Sequence, residues 1–229
     1  THIGKLCPMR VLNGLKKTAP LQDHLKQQWR LLMQIKIVSF YSDVDGGTYY
    51  SDHAARLKKE CEELGVPYDI QEKPSEGSYQ KNCLSKPQYI YDKLKETREP
   101  FVWLDIDSYL LKKPDIFDHM VDNYDLGFAL SVQQLSGLKA SPIFIGATPN
   151  TEIFLENWIM NSNKTLEMDK KHFDHEPLFG LVQFFMKQMK VAFVGKEYCT
   201  WPKEQDYDTV IMMGLSDVER KKENLRTIK

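Results

Sequence analysis

The sequence predicts an α/β protein with an open, mostly parallel, twisted sheet and helices on both faces. Short apolar segments alternate along the chain with segments of helical periodicity, which is typical of this class. Residues 35–70 contain a strand–helix–strand unit, and such a unit places its two strands parallel through a right-handed crossover. The run at 101–104 is apolar without interruption, as in a central parallel strand that is buried on both faces.

The first unit begins with a β-branched strand at 35–40. A helix follows, and Ser51 or Asp52 is its expected cap. One face of this helix is apolar at helical spacing, through Ala54, Leu57, Cys61 and Leu64. Gly65 suits a left-handed C-cap, and a second strand is predicted at 66–70.

Beyond this unit the pattern predicts a polar loop at 71–86, three helices and four strands. The helices are predicted at 87–96, 151–159 and 177–189, and the strands at 101–104, 126–132, 142–145 and 191–194. Open sheets of this kind bind ligands beyond the carboxyl ends of their strands.

The composition excludes several classes of function. The 31 basic and 32 acidic side chains are interspersed and give a formal net charge of −1, whereas nucleic-acid binders usually carry a basic excess. No run approaches the roughly 18 apolar residues of a membrane span. None of the 4 cysteines forms a C-x-x-C pair, which argues against a zinc site of the usual spacing. Scattered free thiols favour a reducing compartment, and we expect the cytoplasm.

The length of 229 residues predicts one large domain with an appendage. We expect residues 1–34 to form an N-terminal helical extension and residues 35–229 to form the domain that carries the site. The chain begins at Thr1 rather than at a methionine. This is compatible with its being one domain of a longer chain.

Two carboxylates, those of Asp105 and Asp107, follow the apolar run at 101–104. Asp-x-Asp also occurs at 43–45 and 206–208, but only the first pattern follows a buried strand, where this fold places its site. Like charges about 4 Å apart repel by roughly 4 kcal/mol at an effective dielectric of about 20, and a divalent cation removes that cost. Oxygen ligands favour Mg²⁺ or Mn²⁺ over zinc. The alternative is that both are exposed loop carboxylates that cap a helix.

The segment 101–108, with Pro114 after it, resembles the Asp-x-Asp block of GT-A nucleotide-diphospho-sugar glycosyltransferases. In those families an apolar strand ends in this pattern. The resemblance extends from residue 35 to about residue 196. Three further segments match in the same order, namely Lys86-Pro87, 141–145 with the helix after it, and 172–176.

The resemblance implies a Rossmann-like GT-A fold and a metal-dependent glycosyltransferase. Such an enzyme moves a sugar from a nucleotide-diphospho-sugar, with UDP as the expected nucleotide, to a hydroxyl of a glycan or glycoconjugate. The implied cofactor is Mn²⁺ or Mg²⁺, which stabilises the charge that grows on the leaving diphosphate. Asp107 would be its direct ligand, and Asp105 would share the metal or hold the ribose.

The resemblance also implies donor-binding residues beyond the first strand. Phe40 or Tyr41 would stack on the base, and Asp43 would accept from the base edge or the ribose. Lys86 would meet a phosphate as a point charge, and Ser141 opens the segment that resembles the sugar-contacting strand. The alternatives are a plain core position for Phe40 and an unengaged surface position for Lys86.

An inverting reaction needs a general base near the acceptor hydroxyl. Asp174 and Glu176 are the candidates, because they precede a helix. Asp174 is alternatively the N-cap of that helix, with Pro177 in the first turn. A retaining reaction would need no such base, so the stereochemistry stays open. Trp201 lies in a loop, where its ring would suit an acceptor sugar.

The sequence departs from the resemblance at one point. Many such enzymes carry a late His-Gly that adds a third metal ligand. The comparable stretch is 212–216, in which Met213 replaces the histidine. The metal would then be held by the Asp-x-Asp carboxylates with diphosphate and water.

Three rival functions fit part of the pattern. A haloacid-dehalogenase-type phosphatase would use Asp105 as its nucleophile, but its motif usually opens the chain. A nucleotidyltransferase would need a glycine-rich phosphate loop after the first strand, and Gly46-Gly47 is too little for one. A non-catalytic glycosyltransferase-like module is the third.

Overall fold

The structure is a computed structural model, and it describes residues 34–43, 47–130, 138–168 and 173–213. Its strands are β1 (Lys36–Tyr41), β2 (Tyr68–Glu72), β3 (Phe101–Trp103), β4 (Tyr109–Leu110), β5 (Leu126–Leu130), β6 (Leu138–Ile145), β7 (Val191–Val194) and β8 (Ile211–Met212). Its α-helices are α1 (Tyr49–Leu64), α2 (Tyr79–Leu84), α3 (Lys86–Thr97), α4 (Pro149–Glu167) and α5 (His175–Phe185). Short 3-10 helices lie at Asp115–Met120, Lys196–Tyr198 and Pro202–Glu204.

Six strands form one sheet, in the order β2-β1-β3-β6-β5-β7. β1 pairs parallel with β2 and β3, and β5 pairs parallel with β7. β6 runs antiparallel to both β3 and β5, so the sheet is mostly parallel, and the predicted fold class is confirmed. The carboxyl ends of β1 and β3 therefore lie at one edge of the sheet, together with the beginning of β6.

Helices cover both faces of the sheet, which explains the uninterrupted apolar run in β3. Val102 packs in a core cluster with Leu57 of α1, whereas Trp103 packs in a second cluster with Trp158 of α4. All four side chains are at most 2% exposed. Burying a large apolar side chain contributes about 1.5–3 kcal/mol. Because β3 buries side chains on both faces of the sheet, each of its positions is apolar. The first polar residue after it is Asp105, where the chain leaves the sheet.

The start of α1 differs from the prediction. The helix begins at Tyr49, so Ser51 and Asp52 lie in its first turn rather than at its cap. The cap comes from farther back in the chain, because the Asp43 carboxylate accepts the N–H of Tyr50 at 2.7 Å. The sequence pattern predicts a cap next to the apolar face of the helix, so it does not identify Asp43, which lies seven residues before Tyr50.

Three other helix ends are set by local caps. Gly65 ends α1 with φ of 64°, as predicted. α4 begins after Thr148, earlier than predicted, because the Thr148 hydroxyl accepts the N–H of Thr151. The predicted loop at 71–86 contains α2, which is short and lacks apolar periodicity. Its start is fixed by Ser78, whose hydroxyl accepts the N–H of Lys81.

Several predictions lie outside the described residues. These are the helical extension before residue 34, the strand end at 131–132, and residues 44–46, 172 and 214–216. The domain boundary at residue 34 stays a prediction. In the described ranges, no helix has the length and apolar character needed to cross a membrane.

Candidate functional site

A pocket lies beyond the carboxyl ends of β1 and β3, at the edge of the sheet where the sequence predicts the site. The fold brings six predicted site residues into its walls. They are Phe40, Tyr41, Lys86, Asp105, Asp107 and Asp174. The aromatic pair ends β1 and the Asp-x-Asp pair follows β3, while the other two lie at the starts of α3 and α5.

Lys86 is the central cation of the polar wall, and its side chain is 8% exposed. Its ammonium lies 2.7 Å from Oδ1 of Asp105 and is also paired with Oδ2 of Asp174. It also donates a hydrogen bond of 3.3 Å to the carbonyl oxygen of Ala140. Its charge is therefore paired with two carboxylates inside the protein. Lys86 is therefore not a surface lysine, and its contact with a phosphate stays a prediction.

The shared lysine influences both carboxylates. Burial by itself would raise the pKa of Asp174, but the Lys86 charge and the contacts with His175 and Lys86 hold it at about 2. Burial raises the pKa of Asp105 and outweighs the Lys86 charge, and the nearby Asp174 charge adds to the rise. Burial would lower the pKa of Lys86, but the two carboxylates raise it above its usual range. The lysine is therefore held charged by its two partners.

The Asp105 side chain and backbone are fixed separately. The indole N–H of Trp103 donates to Oδ1 of Asp105 at 2.9 Å. The backbone N–H of Asp105 donates to the hydroxyl oxygen of Ser141 at 2.8 Å. Ser141 is only 1% exposed, so it supports the Asp-x-Asp turn from beneath. A contact of Ser141 with the donor sugar stays a prediction.

The carboxylates of this wall are suited to a divalent cation. With Asp105, Asp107 and Asp174 ionised, and Lys86 charged, the wall has a net charge of −2 (one positive and three negative groups). Carboxylate oxygens are ligands that Mg²⁺ and Mn²⁺ prefer. In the part of the chain that the structure describes, no group of three His, Cys, Asp or Glu side chains could hold a metal. The residues fit the metal only if diphosphate and water complete its coordination.

The pocket also contains side chains that the sequence analysis did not predict. Tyr79, Asn82 and Cys83 belong to α2, in the predicted loop, and Tyr50 belongs to α1. Residues 79 and 83 are one helical turn apart, and Ser78 before them is a preferred N-cap residue. This spacing is the signal in the sequence that would have indicated them.

Two predicted site residues make structural contacts outside the pocket wall. Asp43 caps α1, as described above. Glu176 is exposed and accepts the N–H of Phe173 at 2.6 Å. Asp174 precedes α5 without capping it through its side chain, and its carboxylate contacts Lys86 instead. The proposed roles of Asp43 and Glu176 in binding and catalysis stay predictions.

Two residues of the late segment also lie at this edge. The Met213 sulfur is 2.7 Å from the hydroxyl oxygen of Ser108, next to the Asp-x-Asp turn. A thioether is a soft ligand and is poorly suited to Mg²⁺ or Mn²⁺. The Lys139 ammonium, at the start of β6, lies 4.5 Å from the ring centroid of Trp201. The role of Trp201 in acceptor binding stays a prediction.

Comparison with solved structures finds a similar fold in a glycosyltransferase involved in the glycosylation of the major capsid of PBCV-1. Its crystal structure matches with a TM-score of 0.63 and 15% sequence identity, over 86% of this chain and 100% of that one. No protein-family model matches the sequence, and neither does a curated protein. At this identity the likeness shows the fold, which is the mixed α/β architecture of that glycosyltransferase.

Proposed function

We propose that this protein is a metal-dependent glycosyltransferase that moves a sugar from a nucleotide-diphospho-sugar to a hydroxyl of a glycan or glycoconjugate. The observation that carries the proposal is the carboxylate wall after β3. There Asp105 and Asp174 share the buried Lys86, and Asp107 lines the same pocket. A wall with net negative charge would bind an anionic diphosphate through a cation. The likeness in fold to a glycosyltransferase supports this function.

The aromatic side of the pocket is proposed to bind the base, with UDP as the expected nucleotide. The Phe40 ring is held at 4.9 Å from the ring of Tyr89 and 5.5 Å from that of Trp103. Phe40 nevertheless lines the pocket together with Tyr41. A ring that is fixed before the ligand arrives loses little entropy on stacking, so Phe40 is a suitable platform for the base, and Tyr41 is the alternative.

The Asp-x-Asp turn is proposed to bind the diphosphate end of the donor. When bound, Mn²⁺ or Mg²⁺ would supply a Lewis acid for the diphosphate oxygens. Asp107 would hold it, and Asp105 would share it or hold the ribose. Because Trp103 and Ser141 fix Asp105, this carboxylate would need little rearrangement on binding.

Asp174 is proposed to accept a hydrogen bond from a hydroxyl of the donor sugar or the acceptor. Its pKa of about 2 keeps it ionised and makes it a weak base, whereas a general base works best with a pKa near the working pH. Asp174 and Glu176 stay the candidates for the base of an inverting reaction. NMR analysis of the anomeric configuration of the product tests this: retention would remove the need for either base.

The experiment that tests the function is a thermal-shift panel of nucleoside diphosphates and their sugars, each with Mn²⁺ and with a chelator. A ligand at 100 times its Kd adds about 2.7 kcal/mol to the free energy of unfolding. For a chain of this size, that corresponds to a rise of about 5–11 °C in melting temperature. We expect a rise with one nucleotide that disappears with the chelator, followed by transfer from its sugar.

Other outcomes would favour the rivals. Hydrolysis of a generic phosphate ester, without a shift from any nucleotide, would favour a phosphatase that uses Asp105 as its nucleophile. Nucleotide binding without metal-dependent turnover would favour a non-catalytic module.

A further inference from the structure

One side of the pocket is formed by α2, whose side chains are held in place before any ligand binds. Tyr79 and Cys83 lie on the same face of this helix, one turn apart, and both line the pocket. The side-chain oxygen of Asn82 accepts the N–H of Glu76 at 2.7 Å, which ties the helix to the loop before it. The Ser78 cap fixes its first turn.

Tyr79 lines the pocket and is 45% exposed. Its ring lies 5.5 Å from the Phe173 ring, which comes just before α5. Its hydroxyl is hydrogen-bonded to the Cys83 thiol, and the charges of Asp107 and Asp174 both act on it. The phenol hydroxyl therefore lies near the two carboxylates to which we assign the metal and a sugar hydroxyl.

The Cys83 thiol is one hydrogen-bond partner of the Tyr79 hydroxyl. Partial burial, together with Cys83 and the two carboxylates, raises the pKa of Tyr79 above its usual range, so it keeps its proton. A thiol sulfur is a poor acceptor. A phosphate oxygen is a much better one, because hydrogen bonds to ionised acceptors are shorter and stronger. The contact with Cys83 therefore does not prevent the hydroxyl from donating to a bound diphosphate.

We propose that Tyr79 is a catalytic residue whose hydroxyl donates a hydrogen bond to the diphosphate of the bound nucleotide-sugar as the glycosidic bond breaks. This inference rests on the proposed function. In the transfer, the bond between the anomeric carbon and the phosphate oxygen breaks, and its electron pair stays on that oxygen. The acceptor oxygen forms the new bond to the anomeric carbon, and its proton is finally released to water. Tyr79 keeps its own proton throughout and stabilises the growing negative charge.

The test is Tyr79→Phe, which removes the hydroxyl and keeps the ring against Phe173. We expect kcat to fall about 100-fold, with the KM for the acceptor unchanged within about threefold. Calorimetric titration in Mn²⁺ should show Kd for UDP rising about tenfold and Kd for UMP unchanged. If the thermal-shift panel identifies a nucleotide other than UDP, the diphosphate and monophosphate of that nucleoside replace UDP and UMP in the titrations.

Tyr91→Phe is the matched control. It removes a phenol hydroxyl that donates to Glu156 at 2.9 Å, away from the pocket, and should change neither kcat nor Kd. Wild-type kcat and UDP affinity in Tyr79→Phe would overturn the role of Tyr79 and leave the proposed function standing. Equal weakening of UDP and UMP would also overturn it, because the contact would then not be with the diphosphate. Failure of the wild-type protein to bind any nucleoside diphosphate in Mn²⁺ would overturn both proposals.

Discussion

Lys86 and Asp105 form an ion pair of 2.7 Å between the first turn of α3 and the end of β3. Lys86 can be buried there because a second carboxylate, that of Asp174, shares its charge from the start of α5. Removing charged groups from water costs several kcal/mol each, and the cost is offset only when partners and hydrogen bonds are in place. The Lys86 cluster (Lys86, Asp105 and Asp174) therefore depends on three elements being assembled together.

Replacing the cation of the Lys86 cluster should destabilise the fold. Lys86→Met leaves the buried Asp174 carboxylate (9% exposed) and the partly exposed Asp105 carboxylate (31% exposed) without their shared charge, and we expect the free energy of unfolding to fall by about 3–5 kcal/mol. Urea denaturation monitored by circular dichroism measures this. The matched control is Lys93→Met, because Lys93 is also buried but has no buried carboxylate partner among the described residues. Its partners Asp69 and Glu96 are 25% and 67% exposed, whereas the Asp174 partner of Lys86 is 9% exposed. Exposed partners stay solvated, so the control should lose about 1 kcal/mol or less. Equal losses in the two variants would contradict this account of the cluster.

Asp107 should be needed for turnover and not for folding. Asp107→Asn keeps the shape of the side chain and removes the charge that would hold the metal. Since the metal contributes several kcal/mol to the transition state, we expect the metal-dependent transfer rate to fall at least about 100-fold. The matched control is Asp208→Asn, in the other Asp-x-Asp pattern, where Asp208 is exposed. Its rate should be that of the wild type, and both variants should melt like the wild type. Retained turnover in Asp107→Asn would contradict the assignment of the metal to this turn.

His175 should make the stability of the fold depend on pH. The Asp174 carboxylate, whose Oδ1 lies 3.7 Å from Nδ1 of His175, raises the pKa of His175 above 6.5. A group that binds its proton more tightly when folded stabilises the fold fully below its unfolded pKa, and this stabilisation is lost as the pH rises through its folded pKa. The excess in melting temperature of the wild type over His175→Gln should therefore be largest near pH 5.5 and decrease above pH ~7. A difference that stays constant from pH ~5 to ~9 would show that the proton contributes nothing.

Two glycines should respond to alanine in opposite directions. At Gly146 an added Cβ would lie 2.7 Å from the carbonyl oxygen of Tyr124 and 2.8 Å from that of Asp125, and both are backbone atoms. We expect Gly146→Ala to lower the free energy of unfolding by about 1–3 kcal/mol. At Gly180, inside α5, an added Cβ meets nothing within 4 Å. Gly180→Ala should therefore raise the free energy of unfolding by about 0.5–1 kcal/mol, because alanine favours the helix. Thermal unfolding of the two variants measures both effects, and a change of the same sign in both would refute the steric argument.

The sequence alone determined the alternating α/β class and the place of the Asp-x-Asp pair. Both follow from local hydropathy, because a strand buried on both faces must be apolar until it leaves the sheet, and the carboxylates of Asp105 and Asp107 come directly after it. The end of α1 at Gly65 was also predictable from local sequence, because a left-handed C-cap favours glycine.

The tertiary structure decided what the residues of the pocket do together. Hydropathy places a lysine at the surface, and Lys86 is buried only because Asp105 and Asp174, far from it in sequence, pair with it. The antiparallel direction of β6 was likewise not predicted. Such pairings depend on long-range contacts that form when the helices pack on the sheet, and no local pattern in the sequence encodes them.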